Sequence, residues 1–193
     1  MAKKQTGRKT APRIIGGRWR GRKLPFEAAE GLRPTPDRVR ETLFNWLAPQ
    51  LEGAHCLDLF TGSGALGLEA LSRGARSCIL LDISRAVVAS ISQLLSVLGA
   101  EGGDCRQGDA GEFLQSEHHG RGNIDIVFLD PPFQLQKLEP LCTLLEENQW
   151  LAGKALIYLE SSVREPQPQV PSNWRLYRGK RAGEVRYQLF VRA

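Results

Sequence analysis

A tetrapeptide whose residue types suit the binding of a small planar group follows the apolar run 124–129. It reads Asp130-Pro131-Pro132-Phe133. The prolines fix the backbone and lack N–H groups, so the loop is rigid and its carbonyl oxygens are free to accept hydrogen bonds. The Asp130 carboxylate and the Pro131 carbonyl are suited to accept hydrogen bonds from the two N–H groups of an exocyclic amine. Phe133 is suited to stack on the nucleobase that carries this amine. We predict that these four residues are catalytic, with a plain turn as the alternative.

A glycine-rich loop lies earlier in the chain, between a predicted strand and a predicted helix. Its glycines are Gly62, Gly64 and Gly67. Glycine is required where the backbone turns tightly and where a ligand approaches it closely. Asp82 ends the next predicted strand, 20 residues after Gly62, where a carboxylate can accept hydrogen bonds from both ribose hydroxyls of an adenosine. This spacing is that of the dinucleotide fingerprint, so a nicotinamide-dependent oxidoreductase is one interpretation.

Asp58 favours a different ligand, because it stands at the end of the strand that precedes the glycine loop. A carboxylate there would repel a dinucleotide pyrophosphate near the helix N-terminus, whereas it suits a cationic, ammonium-bearing ligand such as S-adenosylmethionine. Asp109 follows a later strand and is placed either to receive an adenine amino group or to cap the next helix. The predicted cofactor-binding residues are Asp58, Phe60, Thr61, Gly62, Gly64, Gly67, Asp82, Ile83, Asp109, Ala110 and Asp130.

The net charge of +5 is distributed unevenly along the chain. Residues 1–40 hold 12 Lys/Arg against 3 Asp/Glu, residues 41–163 hold 7 against 16, and residues 164–193 hold 7 against 2. Basic ends on an acidic body attract polyanions through counterion release, so RNA or DNA is the leading partner. For Trp19 the alternative is packing against the domain, and for residues 1–12 it is a solubilising tail. The predicted RNA-binding residues are Arg13, Arg18, Trp19, Arg20, Arg22, Lys23, Arg33, Arg38 and Arg40.

The sequence pattern divides the chain into three parts. Residues 1–12 are predicted to be a disordered basic tail, because they have no hydrophobic periodicity. Residues 13–48 are predicted to form a β-hairpin with one basic face and then a helix, together covering RNA and cofactor. Asp37 is a candidate N-cap for this helix, which is predicted to end at Leu47. Residues 49–193 are predicted to be the cofactor-binding domain.

Short apolar runs alternate with helical patterns from residue 50 onward. Strands at this spacing, separated by helices, imply βαβ units and a parallel sheet that is covered on both faces. The runs 174–180 and 185–192 have no helix between them, so they are predicted to close the sheet as an antiparallel hairpin. The other predicted strands are 55–60, 77–82, 104–107, 124–129 and 155–160, and the predicted helices are 65–73, 86–98, a short one after residue 107, and 138–149.

Composition excludes several classes of protein. The four cysteines are widely spaced without a Cys-x-x-Cys pair, so we expect reduced, mostly buried thiols and no metal. The longest uncharged run, 86–100, has 15 residues, which is too short and too polar to span a bilayer. No apolar segment follows the basic N-terminus, as a secretory signal would require. We therefore expect a cytoplasmic protein that is a monomer and does not bind a membrane.

The combined motifs resemble a known family. Asp58, the glycine loop, Asp82, Asp109 and the tetrapeptide at 130–133 are similar to the class I S-adenosylmethionine-dependent amino-methyltransferases. The similarity is closer to the bacterial guanine-N2 methyltransferases of 16S ribosomal RNA, and it covers about residues 13–192. The segments that carry this closer similarity are 13–17, 22–24, 32–35 and 37–47.

The resemblance implies an α/β fold of the Rossmann-like class I methyltransferase type, with a mostly parallel seven-stranded sheet whose last strand is antiparallel. It implies S-adenosylmethionine as cofactor and methyl transfer to the exocyclic N2 amine of a guanine in 16S rRNA, in the small ribosomal subunit or its assembly intermediate. By the same resemblance Asp58, Gly62 and Gly64 line the methionine end of the cofactor, Asp82 binds the ribose and Asp109 lies by the adenine. The tetrapeptide would hold the guanine.

The resemblance also places residues 33–41 over the cofactor pocket, and we expect Arg38 and Arg40 to lie off the apolar face of their helix. Two positions depart from the commonest form of the family. Asp82 stands where glutamate is frequent, which is one methylene shorter but chemically equivalent. Ser84 stands where Asp or Asn is frequent, so it is given no role.

Three other functions are kept as alternatives. A DNA adenine or protein glutamine methyltransferase would use a similar Pro-Pro-aromatic loop, although the basic N-terminal block fits the rRNA family better. A nicotinamide-dependent oxidoreductase explains the glycines and Asp82 but not Asp58 or the tetrapeptide, and the chain lacks an obvious catalytic His, Tyr-x-x-x-Lys or Cys. An RNA-binding assembly factor without activity would keep the fold, and only an assay excludes it.

Overall fold

The computed structural model describes residues 11–24, 36–116, 122–132 and 138–193. The helices are α1 Asp37–Leu51, α2 Gly67–Ser72, α3 Arg85–Leu98, α4 Ala110–Ser116 and α5 Leu138–Glu147. The strands are β1 His55–Asp58, β2 Ser77–Asp82, β3 Gly103–Gln107, β4 Ile124–Leu129, β5 Leu151–Ser162, β6 Trp174–Ala182 and β7 Val185–Arg192.

The strands form one sheet in the order β3-β2-β1-β4-β5-β7-β6. Strands β1 to β5 run parallel to one another, and β7 lies antiparallel between β5 and β6. The predicted seven-stranded, mostly parallel sheet with an antiparallel last strand is thereby confirmed, as is the hairpin of the last two strands. The order reverses between β1 and β4, and open α/β sheets bind ligands at such a switch point, outside the carboxyl ends of the strands.

Two hydrophobic cores cover the two faces of the sheet. One core contains side chains of α1, α2 and α3, among them Leu43, Leu68 and Ile91. The other contains side chains of α4 and α5, among them Leu114 and Leu145. Alternate residues along each central strand feed opposite cores, because successive side chains point to opposite faces. The parallel strands are therefore buried on both sides, as their nearly continuous apolar sequences predict.

The ends of several elements differ from the sequence prediction. Strand β1 ends at Asp58 instead of residue 60, and α2 begins at Gly67 instead of residue 65. The intervening residues form turns, because two glycines of the loop adopt positive φ angles that a strand or helix does not allow. Strand β5 is longer than predicted, since it continues to Ser162 while paired with β7.

Helix α1 is longer than predicted, and its first residue has a different role. It runs to Leu51 and contains Pro49 in its last turn, where the missing N–H removes one hydrogen bond of the helix. Asp37 is the first helical residue and not the N-cap, which is Pro36 and makes no side-chain capping bond. The Asp37 carboxylate instead accepts a hydrogen bond from Arg40, one turn further along, at 2.6 Å.

The predicted N-terminal β-hairpin is reduced to a single antiparallel bridge between Arg13 and Lys23. The pairing stops there because other backbone groups of the segment bond to α2, although the N–H of Ile14 still donates to the carbonyl of Arg22 at 2.9 Å. The N–H groups of Ile15 and Gly16 donate to the Glu69 carboxylate at 2.7 and 2.8 Å. Gly17 has a φ of 75°, and a Cβ there would lie 1.9 Å from the carbonyl oxygen of residue 72, so only glycine permits this approach.

The four cysteines, all within the described residues, are free thiols, and three of them are buried. This confirms the expectation of a protein without disulfides. Within the described parts of the chain, no helix combines the length and apolar character that crossing a membrane requires.

Candidate active site

The carboxyl ends of β1, β2 and β4 converge at the switch point of the sheet. The N–H of Thr61 donates to the carbonyl of Leu81 at 3.0 Å, which ties the loop after β1 to the end of β2. Asp58 stands opposite Phe128 in the register of β1 and β4, two residues before Asp130. The sequence-predicted acids 58, 82 and 130 thus lie on three neighbouring strand ends.

The glycines of the loop after β1 have two different functions. A Cβ at Gly64 or Gly67 would lie within 3 Å of core side chains, so both positions are required for packing. Gly62 differs, because a Cβ there would meet no atom of the described residues closer than the Phe60 carbonyl oxygen, at 3.9 Å. Its φ of 50° favours glycine, and the space beside it is open to a ligand. The N–H of Gly67 is used within the protein, as a donor to Asp58 at 3.0 Å.

Asp82 organises the loop through both of its carboxylate oxygens. Oδ2 accepts a hydrogen bond from the N–H of Gly62 at 2.9 Å, and Oδ1 accepts one from the N–H of Ser84 at 2.9 Å. Ser84, to which the sequence analysis gave no role, is the N-cap of α3 and accepts from the N–H of Val87. Ile83, beside Asp82, is 70% exposed, which is unusual for a large apolar side chain. Ile83 is one of the predicted cofactor-binding residues.

Asp58 is a buried carboxyl group, with 2% of its surface exposed. Its pKa is raised from 3.8 to about 7, chiefly by burial. The backbone hydrogen bonds from Gly67 and Phe60 oppose this rise, and the negative charges of Asp130 and Asp82 contribute to it. A carboxyl group in such a position is costly to ionise alone, and a cationic ligand beside it would favour the ionised form. The geometry therefore suits the cationic ligand that the sequence predicts.

The Asp-Pro-Pro loop begins directly after β4. Asp130 is half-buried, Pro131 is buried and Pro132 is exposed. Asp58 pairs with Phe128, two residues before Asp130, so the two carboxyl groups lie on adjacent strand ends, and the Asp130 charge contributes to the raised pKa of Asp58. Phe133, the fourth predicted catalytic residue, lies outside the described residues.

Asp109 makes the capping contacts that were its alternative interpretation. Its Oδ1 accepts hydrogen bonds from the N–H groups of Gly111 at 2.8 Å and Glu112 at 3.3 Å, at the start of α4. Ala110, the first residue of α4, is buried. Contact of Asp109 with an adenine stays a prediction.

A buried pair at the end of β5 was not found by sequence reasoning. The hydroxyl of Tyr158 donates to Oε1 of Glu160 at 2.6 Å, and Glu160 is 2% exposed. Burial and the neighbouring Glu160 carboxylate raise the pKa of Tyr158 well above its usual value. A glutamate at the end of an apolar strand was the only signal in the sequence, and it resembles that of Asp58 and Asp130.

The predicted RNA-binding residues separate into two groups. Arg13, Arg18, Arg20, Arg22, Lys23 and Arg38 are exposed. Trp19 is half-buried and packs against the hydrophobic core, which supports its packing alternative. Arg33 lies outside the described residues.

Arg40 corrects the prediction that it contacts RNA from the polar side of α1. It has no exposed surface. Its guanidinium donates to the Arg13 carbonyl at 2.9 Å and to Asp37 at 2.6 Å, and it lies 3.9 Å from the Glu69 carboxylate. Arg40 therefore joins α1 to the N-terminal segment and α2, because a buried cation requires such partners.

Within the described ranges, no three His, Cys, Asp or Glu side chains are arranged to hold a metal ion.

A family model described as conserved hypothetical protein 95 matches residues 12–191. The chain belongs to the conserved hypothetical protein 95 family. A relative from Escherichia coli K12, named ribosomal RNA small subunit methyltransferase D, is 53% identical over 93% of this chain and 89% of its own length. A Haemophilus influenzae protein of the same name is 44% identical over 92% of each chain.

A solved Escherichia coli structure of a protein described provisionally as methyltransferase yhhF is also similar to this member of the conserved hypothetical protein 95 family. It has a TM-score of 0.85 and 53% identity, and the match covers 94% of this chain and 97% of that one. With the sheet order and the antiparallel β7, this likeness assigns the class I methyltransferase fold.

Proposed function

We propose that this protein transfers a methyl group from S-adenosylmethionine to the N2 amine of a guanine in the 16S rRNA of the small ribosomal subunit. The observation that carries the proposal is the position of the Asp130-Pro131 loop beside Asp58 and Gly62, on adjacent strand ends at the switch point. The names of the relatives support small-subunit rRNA as the substrate class. On this proposal the protein acts in the cytoplasm, where ribosomal subunits are assembled.

The residues at the end of β1 and β2 fit the proposed cofactor. The open space at Gly62 would admit the methionine portion, and the buried Asp58 carboxylate would face its positive charge. Asp82 would bind the ribose hydroxyls, while its bond to the Gly62 N–H keeps the loop in place. Ile83 would cover one face of the adenine. When bound, S-adenosylmethionine would supply an electrophilic methyl group.

Asp130 and the carbonyl of Pro131 would position the guanine amine. By accepting hydrogen bonds from its two N–H groups, they would turn the nitrogen lone pair toward the methyl group. Stacking by Phe133 would fix the plane of the base. The rigid prolines would hold this geometry before the base arrives, so little reorganisation is needed during transfer. A strong base is not required, because the electrophile carries the positive charge.

The exposed cations of the N-terminal segment would bind the RNA around the target base. Arg18, Arg20, Arg22 and Lys23 are exposed on a loop whose backbone is fixed to α2. Guanidinium groups can bind phosphates with two parallel hydrogen bonds, and rRNA loops offer splayed bases to a pocket of this kind.

The test is methyl transfer from labelled S-adenosylmethionine to small ribosomal subunits from cells that lack the enzyme. We expect label in N2-methylguanosine after nuclease digestion of the 16S rRNA. The Asp130→Ala variant should lose at least about a hundredfold in transfer rate and still bind the cofactor nearly as well. Glu101→Ala, which removes an exposed carboxylate before the start of β3, is the matched control.

The two parts of this experiment fail in different ways. Absence of label with the wild-type protein, despite cofactor binding, would reject rRNA and move the substrate to DNA, protein or another RNA. Near-normal turnover by Asp130→Ala would reject the amine-positioning role while leaving the reaction itself in place.

A further inference from the structure

Strand β6, at the outer edge of the sheet, is strongly basic. Its nine residues include Arg175, Arg178, Lys180 and Arg181 and no acid. All residues from 175 to 181 are exposed, so no described helix covers either face of this strand. Among the described residues, none of these four cations forms a salt bridge with an acid.

Three of the four cations lie on one face of β6. Arg175 stands opposite Val191, Arg178 opposite Leu189 and Lys180 opposite Tyr187. These three β7 residues belong to or pack against the core on the α1 side of the sheet. Because directly opposed residues of antiparallel strands share a face, the three cations lie on the α1 side as well.

An irregularity between Leu176 and Arg178 makes this alignment possible. It inserts one extra residue, Tyr177, and without it Arg178 would point to the opposite face. The three cations, Arg175, Arg178 and Lys180, therefore form a row, which we call the β6 basic row. Alternate residues of a strand are about 6.7 Å apart, comparable to the separation of successive phosphates on an extended nucleic-acid strand.

The β6 basic row ends near the carboxyl ends of the parallel strands, where the proposed active site lies. Lys180 pairs with Tyr187, and Tyr187 pairs with Glu160. Leu159, before Glu160, pairs with Leu129, which directly precedes Asp130. Lys180 thus lies in the cross-strand row that ends at Asp130, three strand spacings or about 14 Å away. At a spacing of about 6.7 Å between successive phosphates of an extended strand, that distance spans about two phosphates.

Aromatic groups accompany the β6 basic row. The Arg178 guanidinium lies 4.9 Å from the ring centre of Tyr177, which is 47% exposed. The Lys180 ammonium lies 5.9 Å from the ring of Trp46, which stacks on Tyr187. Single-stranded nucleic acids bind to surfaces that combine cations for the backbone with rings for the bases.

We propose that the β6 basic row binds the phosphates of the RNA strand that flanks the target base. The inference rests on the proposed function, which places the reactive amine at Asp130. Cations on an edge strand also prevent pairing with another sheet. Charges of either sign on either face of the strand would give that protection. Binding to a polyanion requires side chains that are all positive and that lie on the same face.

The double substitution Arg178→Gln/Lys180→Gln tests the row. The matched control, Arg76→Gln/Lys154→Gln, removes two exposed cations at the amino ends of β2 and β5, at the end of the strands opposite Asp130. Binding of a 16S rRNA fragment is measured between 50 and 300 mM salt, roughly the range in which phosphate contacts dominate. Small-subunit methylation by each protein is measured in parallel.

We expect the β6 variant to lose about tenfold in RNA affinity and in kcat/KM, and its salt-dependence slope to decrease by about 1.4, or about 0.7 for each lost phosphate contact. The control should stay within about twofold of the wild type, because it removes the same charge elsewhere. Thermal unfolding checks that both variants fold. If the β6 double variant does not fold, Arg175→Gln alone is tested in its place, and we expect its salt-dependence slope to decrease by about 0.7.

An unchanged salt slope in the β6 variant would overturn the inference, because the row would then make no contact with phosphate. An equal loss of RNA affinity in the control would also overturn it, because the effect would then come from net charge alone. Failure of the proposed function has a different signature. The wild-type protein would then bind the RNA fragment without methylating it, while the slopes of the two variants would still decide whether the β6 basic row contacts phosphate.

Discussion

Asp58 is a carboxyl group whose ionisation costs free energy in the protein without ligand. Its pKa rises from 3.8 to about 7, chiefly through burial and further through Asp130 and Asp82. Because the folded pKa exceeds the unfolded one, the free energy of unfolding decreases as pH rises from about 4 to 7, and the full cost applies above pH 7. A cation bound beside Asp58 would offset this cost, so the residue is placed for ligand binding at the expense of stability.

The substitution Asp58→Asn separates these two effects. Asparagine keeps an acceptor for the Gly67 N–H, loses only the long bond from the Phe60 N–H at 3.4 Å, and carries no charge. We therefore expect the variant to unfold several degrees above the wild type at pH 8 and close to it at pH 4. Its affinity for S-adenosylmethionine at pH 8 should decrease by about tenfold or more, because the positive charge loses its partner. Calorimetric unfolding and titration measure the two quantities.

Glu101→Gln is the control for Asp58→Asn, since it neutralises an exposed carboxylate. It should change neither the unfolding temperature nor cofactor affinity. A lower unfolding temperature for Asp58→Asn at pH 8 would contradict the cost of ionisation, and unchanged cofactor binding would contradict the ligand role.

The type of residue and its spacing gave opposite predictions for Arg40. Its positive charge indicated the polar side of α1 and contact with RNA. Its spacing of three, four and seven residues from Leu43, Phe44 and Leu47 places it on the apolar face, where the structure has it. The helical period was the better guide, because a long cation can be buried when carboxylates such as Glu69 lie beside it.

At the scale of elements, the segment 13–24 presents a row of exposed cations on a fixed backbone. Trp19 anchors the segment, because its backbone N–H donates to the Ser72 hydroxyl at 2.9 Å and its ring packs on the core. Charge reversal at Arg18, Arg20 and Arg22 should weaken RNA binding and decrease the salt slope by about 2, for three phosphate contacts at about 0.7 each. Folding should be unaffected, since the three side chains are exposed.

The matched control for this segment is charge reversal at Arg76, Lys154 and Lys23, in which only the last residue belongs to the segment. It should reproduce about one third of the slope change, because net charge is equal but only one proposed contact is lost. Equal slopes in the two triple variants would mean that the segment acts through net charge alone. An unchanged slope in the first would mean that it does not touch phosphate.

The elements of the sheet were predictable and the N-terminal segment was not, for a physical reason. Strands such as Ser77–Asp82 and Ile124–Leu129 are short apolar runs, and both matched their predicted bounds because burial on two faces leaves a continuous apolar sequence. The alternation in 13–25 predicted a hairpin, yet two of its N–H groups, those of Ile15 and Gly16, donate to Glu69, which is 54 and 53 residues away. Local patterns do not report so distant a partner.

At the scale of the whole molecule, Glu69 connects the proposed RNA-binding segment to the cofactor loop. It lies in the first turn of α2, the helix that begins at Gly67 beside Asp58. Its carboxylate is fully buried and accepts hydrogen bonds from Ile15, Gly16 and Arg73. Together with Ser72, Glu69 therefore fixes the segment against the helix whose N-terminus holds Asp58.

Glu69→Gln tests this connection with little change in volume. The amide nitrogen of glutamine is a donor, so one of the two backbone N–H groups loses its acceptor, and we expect the free energy of unfolding to decrease by about 2–4 kcal/mol. Hydrogen exchange at Ile15 and Gly16 should accelerate, and RNA affinity should decrease more than cofactor affinity, because the apolar contacts of α2 remain. Glu112→Gln, the same change at an exposed position in the first turn of α4, should alter none of these quantities. If Glu69→Gln kept slow exchange at both amides, the segment would be held by its buried side chains Ile14 and Leu24, and the RNA surface and the cofactor loop would be energetically independent.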